Sequence, residues 1–227
     1  MQSNWTPSPN FGQRRNGARP SLIVLHYTGM RDSDAALDRL CDPTAEVSAH
    51  YVISPSGQVW QLVQEADRAW HAGAGSWCGV SDINSHSLGI ELVNTGAQPF
   101  PEPQMHRLEM LLSSMMDRWN IPPHQVIAHS DMAPERKEDP GPRFDWRRLD
   151  RLSLGFCPDG MGDDLPLADS LDAIGYPAVE AEKRLQAFRF RFLPTARGPE
   201  TVADRRRANA IAIAFRNARS AHLPQRA

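Results

Sequence analysis

Between an apolar run and a Pro-Gly turn, Ile127 to Pro142 reads IAHSDMAPERKEDPGP and sets His129, Lys137 and Asp139 among few apolar residues. Unpaired charge is costly to bury and is tolerated mainly where it is paired or binds a metal, so the segment is either a solvated loop or a site. Two of the eight histidines stand apart: His26 near the end of SLIVLHYT (Ser21 to Thr28) and His129 at the end of VIAH (Val126 to His129). Side chains at strand ends emerge at the edge of a sheet, where ligands collect. Asp139 follows on a Pro-rich turn able to fold back. Two neutral imidazoles and one carboxylate, with a position left for water, make a catalytic zinc set, whereas a structural site is closed by four protein ligands. His86, His106, His124 and His222 keep the commoner reading of satisfied core or surface residues.

A zinc hydrolase also needs a base for its water and a cation for the oxyanion. Glu91 is a carboxylate in the otherwise apolar LGIELVN (Leu88 to Asn94) and is the candidate base; the bland alternative is an exposed alternating strand position. Lys137 lies two residues before Asp139, so in an extended segment both side chains share a face and the ammonium points at whatever the carboxylate binds.

The elements that must position these groups are legible from periodicity. SLIVLHYT, bounded by Pro20 and Gly29, reads as a buried strand. Ser33 caps a short helix through Leu37 and Leu40. AHYVI and QVWQLV flank SPSG as a hairpin. LGIELVN and VIAH are further strands. Between them Met105, Leu108, Leu112, Met115 and Trp119 recur at helical steps, and a helix near Asp145 to Leu152 closes the domain. The order predicts an α/β fold, a mixed central sheet flanked by helices. CPDGMGDDLP (157–166) reads as a linker, followed by a small three-helix unit over 167–227. The predicted division is an N-terminal arm, 1–19, a catalytic domain, 20–156, the linker, and the helical unit.

At 227 residues and 41% apolar content the chain is ordinary for a globular protein. No window approaches the ~18 apolar residues of a membrane span, and SLIVL is shorter than the ~7–15-residue core of a secretory signal. Cys41, Cys78 and Cys157 are scattered and odd in number, which reads as free thiols in a reducing compartment. The expectation is a cytoplasmic monomer with neither membrane nor nucleic-acid partner. Net charge is −2, but 11 of the 25 Lys and Arg lie from Lys183 onward with only Glu200 and Asp204 against them. Interleaved with apolar residues, these read as the solvated basic face of a packed helix rather than a polyanion-binding tail.

Taken together, LHYTG (25–29), VSAHYVISPSGQVWQLV (47–63), AWHAG (69–73), GIELVN (89–94) and AHSDMAPERKEDPGPRFDW (128–146) resemble the zinc-dependent N-acetylmuramoyl-L-alanine amidases of the amidase-2 fold, the phage-lysozyme-like and peptidoglycan-recognition group. The resemblance implies that His26, His129 and Asp139 hold Zn2+, that Glu91 is the general base and that Lys137 stabilises the oxyanion. It implies that His50, His71 and Trp70 line or support a cleft for a muropeptide or peptidoglycan fragment; for the two histidines a role behind the ligands stays equally open. Some branches place a Tyr near the zinc where this chain has Ala49, which leaves the base role to Glu91. Others ligate with Cys where Asp139 stands, and the non-catalytic peptidoglycan-recognition proteins have lost a ligand that is kept here. The C-terminal unit resembles small helical peptidoglycan-binding modules but lacks their Asp-Gly pattern, so simple packing on the catalytic domain is the alternative. The expected activity is cleavage between N-acetylmuramic acid, in its 1,6-anhydro form, and L-Ala during wall recycling. A phage-type endolysin acting on polymeric wall and a non-catalytic binding module are the rivals.

Overall fold

A computed structural model describes residues 3–222. The elements run β1 (Asn4–Trp5), β2 (Phe11–Gly12), β3 (Leu22–Tyr27), α1 (Ser33–Cys41), β4 (Tyr51–Ile53), β5 (Val59–Gln61), β6 (Arg68–Ala69), α2 (Ile83–His86), β7 (Ser87–Leu92), α3 (Glu102–Trp119), β8 (Val126–Ala128), α4 (His129–Met132), α5 (Trp146–Arg151), α6 (Leu167–Ile174), α7 (Ala181–Phe192) and α8 (Val202–His222). A mixed six-stranded sheet in the order β1-β5-β4-β7-β3-β8 forms the centre, and β2 pairs with β6 in a separate ribbon. The predicted α/β class, with helices about a mixed sheet, is the observed one.

Register does the positioning. β3 and β7 run parallel with His26 opposite Glu91, and β3 pairs with β8 through Leu25 opposite Ala128. The chain therefore leaves β8 as His129 beside the residue that follows Leu25, which is His26. The strands carry the period-2 logic of a sheet covered on both faces. Tyr51 and Ile53 of β4 enter the large apolar cluster with Met105, Leu108 and Leu112 of α3, while Val52 turns to the smaller one with Ala36 and Leu40 of α1. Helix α3 buries Met105, Leu108, Leu112 and Met115 of the predicted stripe, leaves Trp119 half-buried at its end, and stops at Asn120, which adopts left-handed φ 54°.

Three local readings differ from expectation. Residues 4–12, read as an arm, contribute β1 along β5 and β2 along β6, because Thr6 and Ser8 N–H groups find the carbonyls of Gln61 and Leu62. Asp32, not Ser33, caps α1, its carboxylate accepting the Asp34 N–H. The basic residues of the C-terminal helices are not all on a solvated face. Arg184, Arg189, Arg191 and Arg207 are buried, and Arg189 pairs with Asp204 and Arg191 with Asp131. Leu171, Ile174, Phe188 and Phe215 of these helices belong to the same cluster as Ile127, Trp146 and Leu149, so one apolar core runs beneath sheet and helical unit. No helix of the described residues is long and apolar enough to cross a membrane.

Candidate active site

Three side chains from distant positions meet at the carboxyl end of β3 and β8. His26 Nδ1 lies 2.8 Å from His129 Nδ1, and Asp139 Oδ2 lies 3.0 Å from each. All three residues are buried. His129 opens α4, and the loop after α4 returns Asp139 because Ser130 N–H donates to the Asp139 carbonyl at 3.0 Å. Lys137 is seated by its own N–H on the Ala133 carbonyl, which aims the segment 136–139 into the same cleft.

The outer hydrogen bonds assign the imidazole protons. The Ser87 hydroxyl donates to the Ile83 carbonyl at 2.6 Å and so accepts from His71 Nε2 at 3.1 Å. His71 Nδ1 is left to accept from His26 Nε2 at 3.0 Å. His129 Nε2 donates to the Ala72 carbonyl at 2.9 Å. Both Nδ1 atoms are then bare lone pairs facing each other and a carboxylate oxygen. Three acceptors with no proton between them repel, and a divalent cation removes that repulsion. Two imidazole nitrogens and one carboxylate oxygen, open on one side to a cleft of about 400 Å³, are a donor set that fits zinc.

Electrostatics favours the same protonation states. Burial, with His129 adding to it, pushes the His26 imidazole down to about 4. Burial, aided by the surrounding histidines, holds His71 well below its ordinary value. Glu91 moves the other way: burial and the Asp139 charge, opposed by Lys137, push it up to about 8. Its Oε2 is buried without a hydrogen-bond partner among the described residues. A carboxyl group so held is a strong base once ionised, and no hydrogen-bond donor among the described residues satisfies that oxygen.

Glu91, Lys137, His71 and Trp70 all line the cleft with the three converging residues. His50 does not. It is fully buried behind His71, ring centroids 5.8 Å apart; Nδ1 accepts the Gly89 N–H at 2.9 Å and Nε2 donates to the Asp67 carbonyl at 3.2 Å. Its contact is with the scaffold, not with a ligand. Gly89 is glycine for a related reason: a Cβ there would stand 2.4 Å from His71 Cγ. Sequence reasoning missed Ser87, the Ala72 carbonyl and Arg136. A backbone carbonyl has no sequence signal, and Ser87 is one serine among many. Arg136, which lines the cleft and donates to the Ala72 and Ala74 carbonyls, sits one residue from Lys137 in the charged segment and was within reach of that reading.

Residues 16–142 match the model of the N-acetylmuramoyl-L-alanine amidase family, and the chain belongs to that family. The N-acetylmuramoyl-L-alanine amidase AmiD of Escherichia coli strain K12 is 33% identical over 222 residues, covering 82% of this chain and 79% of that protein. The 1,6-anhydro-N-acetylmuramyl-L-alanine amidase AmpD of Citrobacter freundii is 34% identical over 163 residues, covering 64% of this chain and 87% of its own length. A solved structure of Escherichia coli AmiD with the substrate anhydro-N-acetylmuramic acid-L-Ala-D-gamma-Glu-L-Lys aligns with TM-score 0.74 at 31% identity, over 90% of this chain and 92% of that one.

Proposed function

We propose that this chain is a zinc amidase of peptidoglycan recycling, cleaving the amide between the lactyl group of 1,6-anhydro-N-acetylmuramic acid and the L-Ala of the stem peptide. The observation that carries the reading is the meeting of three acceptor atoms from His26, His129 and Asp139 on the same cleft as the unpartnered Glu91 carboxylate. The substrate class is supported by the names of the relatives: AmpD of Citrobacter freundii is a 1,6-anhydro-N-acetylmuramyl-L-alanine amidase, and AmiD was solved with an anhydro-muramyl peptide as substrate.

Zinc held by His26, His129 and Asp139 would supply Lewis acidity to the scissile carbonyl and to the attacking water. Glu91 accepts a proton from that water as its oxygen bonds to the carbonyl carbon, and returns it to the nitrogen of L-Ala as the C–N bond breaks. Lys137 carries the positive charge that offsets the developing oxyanion. His71 holds His26 in the tautomer that keeps Nδ1 free, and Trp70 forms an aromatic wall for the substrate. The products are a lactyl carboxylate on the sugar and a peptide with a free amino terminus.

The free thiols Cys41, Cys78 and Cys157 support a reducing compartment such as the cytoplasm, where soluble wall fragments rather than intact wall are the available substrate. The test compares hydrolysis of purified anhydro-muropeptides and of intact sacculi, read by mass spectrometry, alongside metal analysis and fractionation of the native protein. The reading expects about one zinc per chain, loss of activity on chelation and preference for the small fragments. Activity that survives complete zinc removal refutes the metal mechanism, and a preference for sacculi refutes the recycling role in favour of an endolysin.

A further inference from the structure

β8 is the outermost strand of the main sheet, paired among the described residues only with β3, and it ends at the residue before His129. A strand with one neighbour leaves the polar groups of its outer edge to be satisfied by something else. Here two side chains do so. Asp131 Oδ2 accepts the Ala128 N–H at 2.9 Å, and Arg191 Nη2 donates to the Val126 carbonyl at 3.1 Å, so the pair brackets the strand on both sides of Ile127. The two side chains are joined to each other: Arg191 Nη1 donates to Asp131 Oδ2 at 2.6 Å, with Arg191 and Asp131 only 3% and 0% exposed. The other carboxylate oxygen, Oδ1, accepts the Tyr176 hydroxyl at 2.7 Å. The remaining guanidinium donors reach the Phe156 carbonyl at 2.9 and 3.3 Å, and the guanidinium lies over the Trp146 ring at 4.2 Å.

Both partners of Asp131 come from the C-terminal helical unit, Arg191 from α7 and Tyr176 from just beyond α6. We infer that this unit serves the catalytic site directly: Arg191 and Tyr176 are positioning residues that hold the Asp131 carboxylate, and through its bond to Ala128 N–H they fix the turn that presents His129. The inference rests on the ligand role proposed for His129. Asp131 and His129 share the four-residue helix α4, so a displaced carboxylate moves the same backbone that carries the imidazole. A buried carboxylate deprived of its cation turns toward water, and that movement releases the Ala128 N–H. A metal site tolerates little of this, because ligands must stay within about 0.5 Å of their working geometry.

The test uses the full-length chain with Arg191→Met, Arg191→Lys and Tyr176→Phe, and Arg205→Ala as a control whose exposed pairs with Asp164 and Glu200 lie away from the cleft. Three quantities are read: zinc release to a chelator, kcat and KM on an anhydro-muropeptide, and exchange of the Ala128 amide proton in metal-free protein. Arg191→Met is expected to release zinc about tenfold faster and to lose kcat by a similar factor at unchanged KM, as removal of a group that orients a ligand does. Arg191→Lys keeps the charge without the planar fork and falls between. Tyr176→Phe removes one of the bonds to the carboxylate and speeds Ala128 exchange with the fold intact, so it carries the test if Arg191→Met fails to fold. The control leaves all three quantities unchanged. Zinc release, kcat and Ala128 exchange at wild-type values in folded variants, with only the melting temperature lowered, overturn the inference. Ala128 exchange decides it even if the wild-type chain holds no zinc, a result that would count against the metal reading alone.

Discussion

His71→Ala removes the acceptor nitrogen that lies 3.0 Å from His26 Nε2 and takes its proton's hydrogen bond, while leaving all three converging atoms in place. His26 is then free to exchange tautomers or rotate, and in the other tautomer its Nδ1 carries a proton toward the point where the three acceptor atoms converge. Loss of such an outer partner lowers metal affinity by about 10- to 100-fold, or about 1.4 to 2.7 kcal/mol. The upper half of that range is expected here, because His71 is itself held on its far side by Ser87. Its ring is also confined above Gly89. A zinc titration against a chromophoric chelator measures the loss, and 15N chemical shifts of the His26 ring report the tautomer directly. His71→Gln, whose amide oxygen can accept the same proton, is expected to recover most of the affinity. An affinity within twofold of wild type for His71→Ala, with the His26 tautomer unchanged, refutes the relay.

Glu91→Gln removes the proton acceptor but no converging atom, so zinc content should hold while kcat falls by about 10² or more; near-normal turnover would mean that another group is the base. Gly89→Ala drives a methyl into the space of the His71 ring, and is expected to lower stability by about 1 to 3 kcal/mol and zinc affinity with it, read by thermal melts and the same titration. At Glu65 burial acts upward, but hydrogen bonds from Arg118, Trp119 and Tyr51 outweigh it and hold the carboxyl below its ordinary value. Its folded value is therefore below the unfolded one, so its contribution is complete above the ordinary 4.5 and is lost as pH falls through the folded value. Glu65→Gln should cost about 1 to 3 kcal/mol at pH 7 and flatten the acid limb of the melting profile; a profile parallel to that of wild type would count against it.

The residues that converge on the cleft were legible because the signal for each is local. His26 and His129 end apolar runs whose period marks them as strands, and the α3 stripe of Met105, Leu108, Leu112 and Met115 repeats within a few residues. Burying Asp139 and Lys137 without a partner would be so unfavourable that their presence beside an apolar run left two readings, a solvated loop or a site, and the resemblance chose between them. The pairing of those runs was not local. That His26 faces Glu91, and that β8 delivers His129 beside it, follows from a strand order in which β3 lies between β7 and β8, and periodicity along one strand carries no information on its neighbours. The same limit hid the protons and the buried charges. The His26 tautomer depends on His71 and Ser87, and that of His129 on the carbonyl of Ala72. Arg191, which by composition belonged to a solvated basic face, is buried against Asp131, 60 residues away. Sequence alone determined which groups were present and where the main apolar strands and helices run, because hydrophobic period and charge are written residue by residue. Only the tertiary structure decided which lone pairs meet and which charges are desolvated, because hydrogen-bond partners and burial arise from contacts between distant segments.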